Sequence, residues 1–524
     1  MTSSIDSSAP PAKRRVSLLG GAPPEVSSLG LARAEAQGLG ALAAAKRFAV
    51  TGLHMPLKTT VSLCGDCLTY VPAFVYEQGG RVLMAKACPR HGHGTAIVEN
   101  DARFYFLSNK DRNGRVYAKE RIFEIPEWST RSSSSAGAAT SSSCCDGGAC
   151  EPAGQALGPG ADQSANKTCT VLIEVTDACN LACPVCYSDA KGDKKLPLEA
   201  FKTYLSALVE QKGGLDSVQL TGGEALLHPE FWELFTFAVT HPRIKKVYLP
   251  TNGLLLRRGD MLERLARHKD KLMVLLQFDA LSDAADESLR GATPGRARLL
   301  VLARLGELGI HTQLTMTLAR GVNLDEVGDV VALALKHEHV KVVAMQPATY
   351  SGRYELDPSP TDRLTLSDIV KAIAKSGAAR TKETDFVPIP CSHPACGFIT
   401  LFARRFGLVA NIARHVDLAR AMDTVAYRTL LSTDELRGAL RDSAPNVVRR
   451  AAVAIGEKLV RSTDVFTIAI KPFMDRHNYD QDRIESCCHH MLDTKGNLRS
   501  FCEYNALLRQ TDPFTVPLGE PRPL

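Results

Sequence analysis

Three cysteines in one short segment carry the clearest chemical signal in the chain. Cys179, Cys183 and Cys186 are separated by three and by two residues, within the run Cys-Asn-Leu-Ala-Cys-Pro-Val-Cys. Three thiolates at this spacing can hold three corners of a [4Fe–4S] cluster and leave the fourth iron open, whereas ligation by four cysteines is typical of electron transfer. Zinc sites mostly pair two Cys-x-x-Cys units, and no second pair follows closely here. Although 15 cysteines make chance spacing an alternative, the spacing favours an iron–sulfur cluster that takes part in a reaction.

Alternating strands and helices are predicted to position this triplet. Residues 170–176 form a short β-branched run, typical of a buried strand, that ends just before Cys179. Five further strands, each alternating with a helical segment, are predicted at 217–220, 246–249, 272–278, 312–318 and 340–345. Six β/α units in series imply an α/β fold with a parallel sheet and right-handed crossovers, either a partial barrel or an open doubly wound sheet.

Polar residues stand where several of the predicted strands end. Thr221-Gly222-Gly223-Glu224 follows the second strand, Asn252 follows the third, and Gln346 follows the sixth. Gln277 and Asp279 stand at the end of the fourth strand. Each of these alone is compatible with ordinary turn chemistry. Together they favour a site at the C-terminal ends of the strands, where barrel enzymes place their active sites.

The triplet and the Gly-Gly-Glu segment resemble those of the radical S-adenosylmethionine (SAM) superfamily, over roughly residues 170–346. The resemblance implies that the amino and carboxylate groups of SAM chelate the open iron. It also implies that Gly222, Gly223 and Glu224 contact the methionine amino group. The further candidates for contacts to SAM are Asn252, Gln277, Asp279 and Tyr187. Many members carry an aromatic residue before the third cysteine, where this chain has Val185, and Tyr187 follows that cysteine instead.

The same resemblance implies the reaction. A reduced cluster passes one electron to the sulfonium of SAM, and the resulting 5′-deoxyadenosyl radical abstracts hydrogen from an unactivated C–H bond. An electron donor of the ferredoxin or flavodoxin type is expected as a partner. The protein supplies orientation and a dry interior, so no catalytic residues are expected beyond the cluster ligands.

A second cysteine group near the N-terminus has the spacing of a structural metal site. Cys64-Gly-Asp-Cys67 and Cys88-Pro-Arg-His91 flank a hairpin-like segment at 74–84. Two ligands on each of two turns fit a mononuclear zinc, and a rubredoxin-like iron fits equally.

More cysteines follow the predicted barrel, in clusters that contain Pro, His or aromatic neighbours. They are Cys391, Cys396, Cys487, Cys488 and Cys502. A single cysteine of this kind is more often a small core residue. Five of them in clusters predict one or two auxiliary [4Fe–4S] clusters.

The whole pattern, from about 57 to 510, is similar to archaeal tetraether lipid synthases and to the radical SAM methyltransferases of 7,8-dihydro-6-hydroxymethylpterin. The motifs that carry it include the N-terminal cysteines, Pro390-Cys-Ser-His-Pro-Ala-Cys396 and Phe501-Cys-Glu-Tyr-Asn505. The resemblance implies C–C bond formation on a lipid-like substrate. The alternative is methyl transfer to a pterin-like small molecule, and a remote third hypothesis is a non-catalytic zinc-scaffold protein.

Composition divides the chain into five predicted regions. They are a disordered extension (1–50), a metal module (51–129), a disordered Ser/Ala/Gly-rich insert (130–168), the barrel (169–355) and a mainly helical, cluster-binding domain (356–524). The family usually carries a compact cysteine group before the first strand. Here the insert contains Cys144, Cys145 and Cys150, and Cys169 follows it. Whether these four ligate a cluster stays open.

Charge and hydropathy limit the partners. A net charge of +6 spread over 524 residues gives no reason to expect nucleic-acid binding. No apolar run approaches the ~20 residues that span a bilayer, so a lipid substrate would require peripheral membrane contact. Cysteines in metal-type clusters favour the cytoplasm. Lys13-Arg14-Arg15 leaves a mitochondrial presequence as the alternative, although nearby acidic residues argue against it.

Overall fold

The N-terminal part of the computed structural model is a four-stranded antiparallel meander with helices packed on it. The structure describes residues 26–107, 168–356, 359–389, 393–405, 407–414, 464–485 and 487–519. The first elements are α1 (Val26–Gln37), α2 (Ala41–Arg47), β1 (Met55–Leu63), β2 (Tyr70–Gln78), β3 (Arg81–Cys88), β4 (Gly92–Glu99) and α3 (Ala102–Leu107). We call β1–β4 the ribbon.

The expectation of disorder over residues 1–50 is wrong for its described part. Helix α2 buries Ala44 and Ala45 against Phe74 and Tyr76 of the ribbon. Alanine is the best helix former and loses no side-chain entropy on burial, so an alanine-rich segment can dock as a helix as well as remain unfolded. Residues 1–25 lie outside the described part of the chain.

A curved parallel sheet follows, and it confirms all six predicted strands. Its elements are β5 (Thr170–Thr176), β6 (Val185–Cys186), β7 (Lys194–Lys195), α4 (Leu198–Lys212), β8 (Leu215–Gly222), α5 (Phe231–Thr240), β9 (Ile244–Thr251), α6 (Met261–Ala266), β10 (Leu272–Gln277), α7 (Asp283–Arg290), α8 (Gly295–Glu307), β11 (Thr312–Leu318), α9 (Val327–Lys336) and β12 (Val340–Pro347). Alternate residues of each strand, such as Val274 and Leu276, are buried under the helices. The other residues face the concave side, because side chains alternate across a strand.

The C-terminal region adds strands to both edges of this sheet. Its elements are β13 (Arg353–Tyr354), α10 (Leu366–Ser376), β14 (Val387–Pro388), β15 (Phe398–Arg405), β16 (Leu408–Asn411), β17 (Val465–Ile470), α11 (Gln481–Glu485), β18 (His489–Leu492), β19 (Leu498–Ser500), α12 (Phe501–Glu503) and β20 (Val516–Pro517). The mainly helical expectation is therefore wrong for the described part of this region. Residues 415–463, where much of that helix was expected, lie outside it.

Two of the added strands extend the barrel itself. Strand β17 pairs parallel with β12, and β18 pairs parallel with β5, so eight described strands run in the same direction. The two outer strands of this set approach each other, since Lys471 Nζ lies 3.4 Å from His489 Nε2. Side chains of these two strands thus meet on the concave side, while β15 and β19 occupy the outer edges of β17 and β18.

The predicted insert lies almost entirely outside the described residues, together with Cys144, Cys145 and Cys150. In the ranges that are described, no helix combines the length and apolar character needed to cross a membrane.

Candidate active site and metal centres

The cysteine triplet lies in the loop that leaves the C-terminal end of β5. Strand β6, which contains Cys186, pairs with β13, and Arg353 of that strand donates from Nε to the Cys183 carbonyl oxygen at 2.5 Å. The pKa of Cys179 is raised to about 12, mainly by burial and in smaller part by Glu224 and the neighbouring Cys183 and Cys186.

The glycines before Glu224 allow β8 to approach this loop. A Cβ at Gly223 would lie 2.0 Å from the Ala178 carbonyl oxygen, and one at Gly222 would lie 2.2 Å from the Thr176 carbonyl oxygen. Gly222 also has φ +141°, which side-chain-bearing residues rarely adopt. The two glycines therefore fit a close backbone contact that places Glu224 beside the cysteine loop.

Glu224 has one buried oxygen without a partner. Its Oε2 accepts from Thr251 Oγ1 and from the Asn252 backbone N–H, each at 3.0 Å. Its Oε1 is buried and accepts no hydrogen bond from a described residue. Burial raises the pKa of this carboxyl to about 7. Because an unpaired buried acceptor costs free energy, the site fits a cationic donor such as the amino group of SAM.

Asn252 and Gln277 point polar groups into the same end of the barrel. Asn252 Nδ2 donates to Asn180 Oδ1 at 2.7 Å, which ties the β9 end to the cysteine loop. Gln277 Nε2 donates to Asp279 Oδ1 at 2.7 Å and to the Thr315 carbonyl oxygen at 3.1 Å. Both side chains lie at the strand ends where the sequence predicted them.

Asp279 does not fit its predicted contact with SAM. It is 0% exposed, and Arg290 Nε and Nη2 each donate to one of its two oxygens at 2.7 Å. Burial works to raise the pKa of Asp279, but Arg290 outweighs it and holds that pKa below its ordinary value. Arg290 also lies against the Cys183 sulfur. Asp279 is thus a positioning residue. The pairing of Asp279 with Arg290 could not be predicted from the sequence, because it depends on how α7 packs.

The ring of Tyr187, a candidate for a contact to SAM, lies against residues of the C-terminal region. The ring lies 5.5 Å, centroid to centroid, from Phe501, and the Arg509 guanidinium lies 5.9 Å from it. Burial raises the pKa of Tyr187 to about 12. The ring therefore packs against the C-terminal region, while the hydroxyl interacts with Thr221, next to Gly222.

The N-terminal cysteines converge as predicted. Ligand atoms of Cys64, Cys67, Cys88 and His91 all lie within 4.8 Å of one another. Cys67 Sγ and Cys88 Sγ are 3.8 Å apart, and His91 Nδ1 is 3.5 Å from Cys64 Sγ and 3.6 Å from Cys88 Sγ. A tetrahedral zinc separates two sulfurs by about 3.8 Å and a sulfur from a nitrogen by about 3.6 Å. The donor set and its spacing therefore fit one tetrahedral zinc ion.

Three of the C-terminal cysteines, Cys396, Cys487 and Cys502, form a second group. Burial raises the pKa of Cys487 to about 11, and the Cys396 thiol adds to that shift. Cys502 is influenced by both of these thiols. Arg483, which sequence reasoning missed, lies against Cys396 and Cys502, and its buried Nε has no hydrogen-bond partner among the described residues. A buried guanidinium beside the Cys396 and Cys502 thiols fits an anionic cluster. Cys391 lies outside the described residues.

Cys488 is 2% exposed and lies beside the start of β5. Its role as a cluster ligand stays a prediction. The Cys488 carbonyl oxygen accepts from the Cys169 N–H at 2.9 Å, at the start of β5. Cys169 is therefore at the opposite end of that strand from Cys179.

The concave face of the barrel carries many polar side chains. Gln219, Gln277, Gln313 and Gln346 point to this face from four strands, and each is only half-buried. Tyr248, Thr315, Lys471 and His489 share the same face. The concave face thus combines amide and hydroxyl groups with apolar residues such as Met273 and Leu275.

Comparison with known proteins agrees with this geometry. Residues 173–334 match the model of the radical SAM superfamily, and residues 56–100 match the HMPTM N-terminal zinc ribbon domain. The chain is 25% identical over 518 residues to the 7,8-dihydro-6-hydroxymethylpterin dimethyltransferase of Methanocaldococcus jannaschii, covering 88% of this chain and 96% of the relative.

Other matches are partial. The GTP 3′,8-cyclase of Chlorobaculum tepidum is 29% identical over 192 residues, 34% of this chain and 53% of that enzyme. Streptococcus suis SuiB bound to precursor peptide SuiA superposes with a TM-score of 0.34 at 15% identity, over 39% of this chain and 44% of that one. The family-model match over the barrel shows that residues 173–334 form a radical SAM domain.

Proposed function

We propose that the chain binds a [4Fe–4S] cluster through Cys179, Cys183 and Cys186, cleaves one SAM there, and transfers the methyl group of a second SAM to a pterin-like heterocycle. The second SAM leaves as S-adenosylhomocysteine, the hydrogen that the methyl group replaces leaves in 5′-deoxyadenosine, and the electron donor supplies the electrons. When bound, the cluster and SAM supply a 5′-deoxyadenosyl radical by one-electron reduction. The superfamily implies both groups, and the unpartnered Glu224 Oε1 fits the SAM amino group.

The residues around the triplet have separate tasks in this proposal. Glu224 accepts from the amino group of SAM, and its second oxygen is held by Thr251 and Asn252. Gly222 and Gly223 keep the β8 backbone close to the cysteine loop. Arg290, which is held by Asp279, lies against Cys183 and supports it. None of these groups needs to transfer a proton.

The polar concave face carries the choice of substrate. Amides such as Gln219 and Gln313 match the ring nitrogens and carbonyl of a pterin, because an amide both donates and accepts. A hydrocarbon chain would leave these groups without partners at a cost in free energy. These amides support the pterin-like alternative over the lipid-like substrate, although apolar residues such as Met273 and Leu275 share the same face. The 25% identity to the pterin dimethyltransferase over most of both chains supports the same choice.

The proposal includes the other metal groups. Cys396, Cys487 and Cys502 ligate an auxiliary cluster, and the ribbon site holds zinc. A ferredoxin- or flavodoxin-type donor supplies the electron, and the free thiols require a reducing compartment.

Anaerobic reconstitution tests the function. Protein loaded with iron and sulfide is given dithionite, SAM and either 7,8-dihydro-6-hydroxymethylpterin or a dispersed diether lipid. We expect 5′-deoxyadenosine and a pterin that gains about 14 mass units per methyl group, with the lipid unchanged. The Cys183→Ala variant should form neither product. Joined lipid chains with an unchanged pterin would contradict the substrate, and 5′-deoxyadenosine from Cys183→Ala would contradict the cluster assignment.

A further inference from the structure

The ribbon shares a hydrophobic cluster with the segment that carries the auxiliary cysteines. Val61, Leu63, Leu68 and Tyr70 of the ribbon and its first turn pack in one cluster with Met474, Tyr479, Ile484, Phe501 and Cys502. Tyr70 also donates from its hydroxyl to Glu503, the neighbour of Cys502, at 3.4 Å. The second metal group is thus built directly on the ribbon surface.

A buried lysine of the ribbon fastens the same segment. Lys86 Nζ donates to the carbonyl oxygens of Leu63, Arg476 and His477 at 2.7, 2.9 and 2.7 Å. Three carbonyl acceptors satisfy all three donors of an ammonium group, which otherwise is costly to bury. The segment that leaves β17 is thereby held to β1 and β3.

A second lysine of the ribbon, Lys58, forms ion pairs with Asp480 and Asp482 at the start of α11. Lys58 Nζ lies 2.7 Å from Asp480 Oδ2 and 2.8 Å from Asp482 Oδ2, and Thr60 Oγ1 donates to Asp480 Oδ1 at 2.8 Å. Asp480 precedes α11, the helix that contains Arg483. Removing Lys58 leaves the buried Asp480 carboxylate without its cation, which is strongly destabilising for the local structure.

The zinc-binding turn itself contacts this segment. Arg476 Nη1 donates to the Gly65 carbonyl oxygen at 3.2 Å, and a Cβ at Gly65 would lie 3.0 Å from the His477 ring. Gly65 stands between the metal ligands Cys64 and Cys67. Because a small metal site folds only when its ion is bound, the shape of this contact depends on the ribbon metal.

We infer that the ribbon is the scaffold of the auxiliary cluster site. The ribbon metal sets the turn that receives residues 471–480, and the Lys58 and Lys86 contacts then place Arg483, Cys487 and Cys502 around the cluster position. Loading of the auxiliary site therefore depends on the ribbon, whereas loading of the Cys179 triplet does not. This inference rests on the auxiliary cluster proposed above.

Two matched lysine variants of the full chain test the dependence. Lys58→Met removes the ion pair with Asp480. Lys371→Met removes the 2.6 Å ion pair between Lys371 on α10 and Asp101, which follows ribbon strand β4. This ion pair does not involve the segment that carries the auxiliary cysteines. Each is made in wild type and in a background with Cys179, Cys183 and Cys186 all replaced by alanine, where the remaining cluster iron belongs to the auxiliary site.

Iron, sulfide and zinc per chain are measured after reconstitution, with electron paramagnetic resonance of the reduced protein with and without SAM. We expect Lys58→Met to lose most of the auxiliary iron, about four atoms per chain, and to keep a signal that shifts with SAM. Lys371→Met should match its parent. Cys67→Ser, which removes a zinc ligand, should repeat the Lys58→Met result.

Auxiliary iron retained in Lys58→Met and in Cys67→Ser would overturn the scaffold role. Equal loss from both cluster sites would also overturn it, because it would indicate general unfolding. Absence of auxiliary iron from the triple-alanine parent would instead overturn the auxiliary cluster itself, and the inference with it.

Discussion

At the scale of single residues, Glu224 shows how the site is prepared for its cofactor. One carboxylate oxygen is held by two donors while the other is buried without one. The protein alone therefore bears the cost of an unmet acceptor, and binding of a cationic group removes it. Gly-Gly-Glu could be identified in the sequence, but the unpaired oxygen could not, because it depends on how β8 and β9 are placed.

Glu224→Gln should weaken SAM binding with little change in cluster content. A hydrogen bond to a charged group contributes about 1.5–3 kcal/mol, so the loss corresponds to about 10- to 100-fold in affinity. Equilibrium dialysis of cluster-loaded protein with labelled SAM measures it. Glu210→Gln, at the exposed end of α4, is the control. Equal affinities in the two variants would exclude the contact.

Glu99, at the end of β4, makes stability depend on pH. Its Oε1 accepts from Thr365 Oγ1, Ser367 Oγ and the Asn100 N–H. Burial raises the pKa of this carboxyl from 4.5 to about 7, although the two hydroxyls oppose the shift. The folded state thus holds the proton more tightly than the unfolded state. This contribution to stability is complete below the unfolded pKa and is lost as pH rises through about 7.

Glu99→Gln keeps a neutral acceptor at every pH. We therefore expect its unfolding temperature to rise relative to wild type between pH 5 and pH 8, with a free-energy difference of at most about 3 kcal/mol. Thermal unfolding followed by circular dichroism at each pH measures this difference. Parallel profiles for the two proteins would show that Glu99 ionises normally.

At the scale of elements, the strand ends explain why the site could be predicted in part. Six strands were predicted because each is a short, mainly apolar run between helical segments, which is a local signal. Strands β17 and β18 were missed, because their pairing partners lie far away in sequence. The same limit applies to Asp279, whose partner Arg290 is on α7, and to Tyr187, whose ring contacts Phe501.

Gly223→Ala should separate β8 from the cysteine loop. The added Cβ would meet the Ala178 carbonyl oxygen at 2.0 Å, so the backbone has to move. We expect destabilisation of about 3 kcal/mol or more and loss of iron from the triplet. Gly94→Ala is the matched control, because its Cβ meets nothing within 4 Å. Unchanged iron content and unfolding temperature in Gly223→Ala would contradict the close approach.

At the scale of the whole molecule, the ribbon packs against both the barrel and the segment that contains Cys502, through one hydrophobic cluster. The family resemblance indicated which cysteines matter and that a barrel presents them. It could not indicate that the ribbon packs on the C-terminal cysteines, because that surface joins residues from opposite parts of the chain. The alternation of apolar and polar residues along the strands could not show that Gln219 and Gln313 line the concave face of the barrel. The same pattern is typical of a strand with one face in solvent.

Gln219→Leu should weaken substrate binding and leave substrate-free SAM cleavage unchanged. The leucine keeps a similar size but loses the donor and acceptor, which costs about 1–2 kcal/mol, or about 10-fold in KM for the pterin. Product formation by mass spectrometry and 5′-deoxyadenosine release without substrate measure the two effects. Gln78→Leu, at the end of ribbon strand β2, is the control. A lower KM for the pterin in Gln219→Leu would favour an apolar substrate.

The pairing of β18 with β5 has a consequence for biosynthesis. Thr170 leaves the ribosome early, but its partner His489 emerges only after almost all of the barrel has been made. During translation β5 therefore has an unpaired edge, and exposed strand edges are prone to aggregate. Cys179 and Cys487 stand on the two sides of this late pairing event. The proposed auxiliary site, which includes Cys487 and Cys502, is therefore assembled later than the first barrel strands.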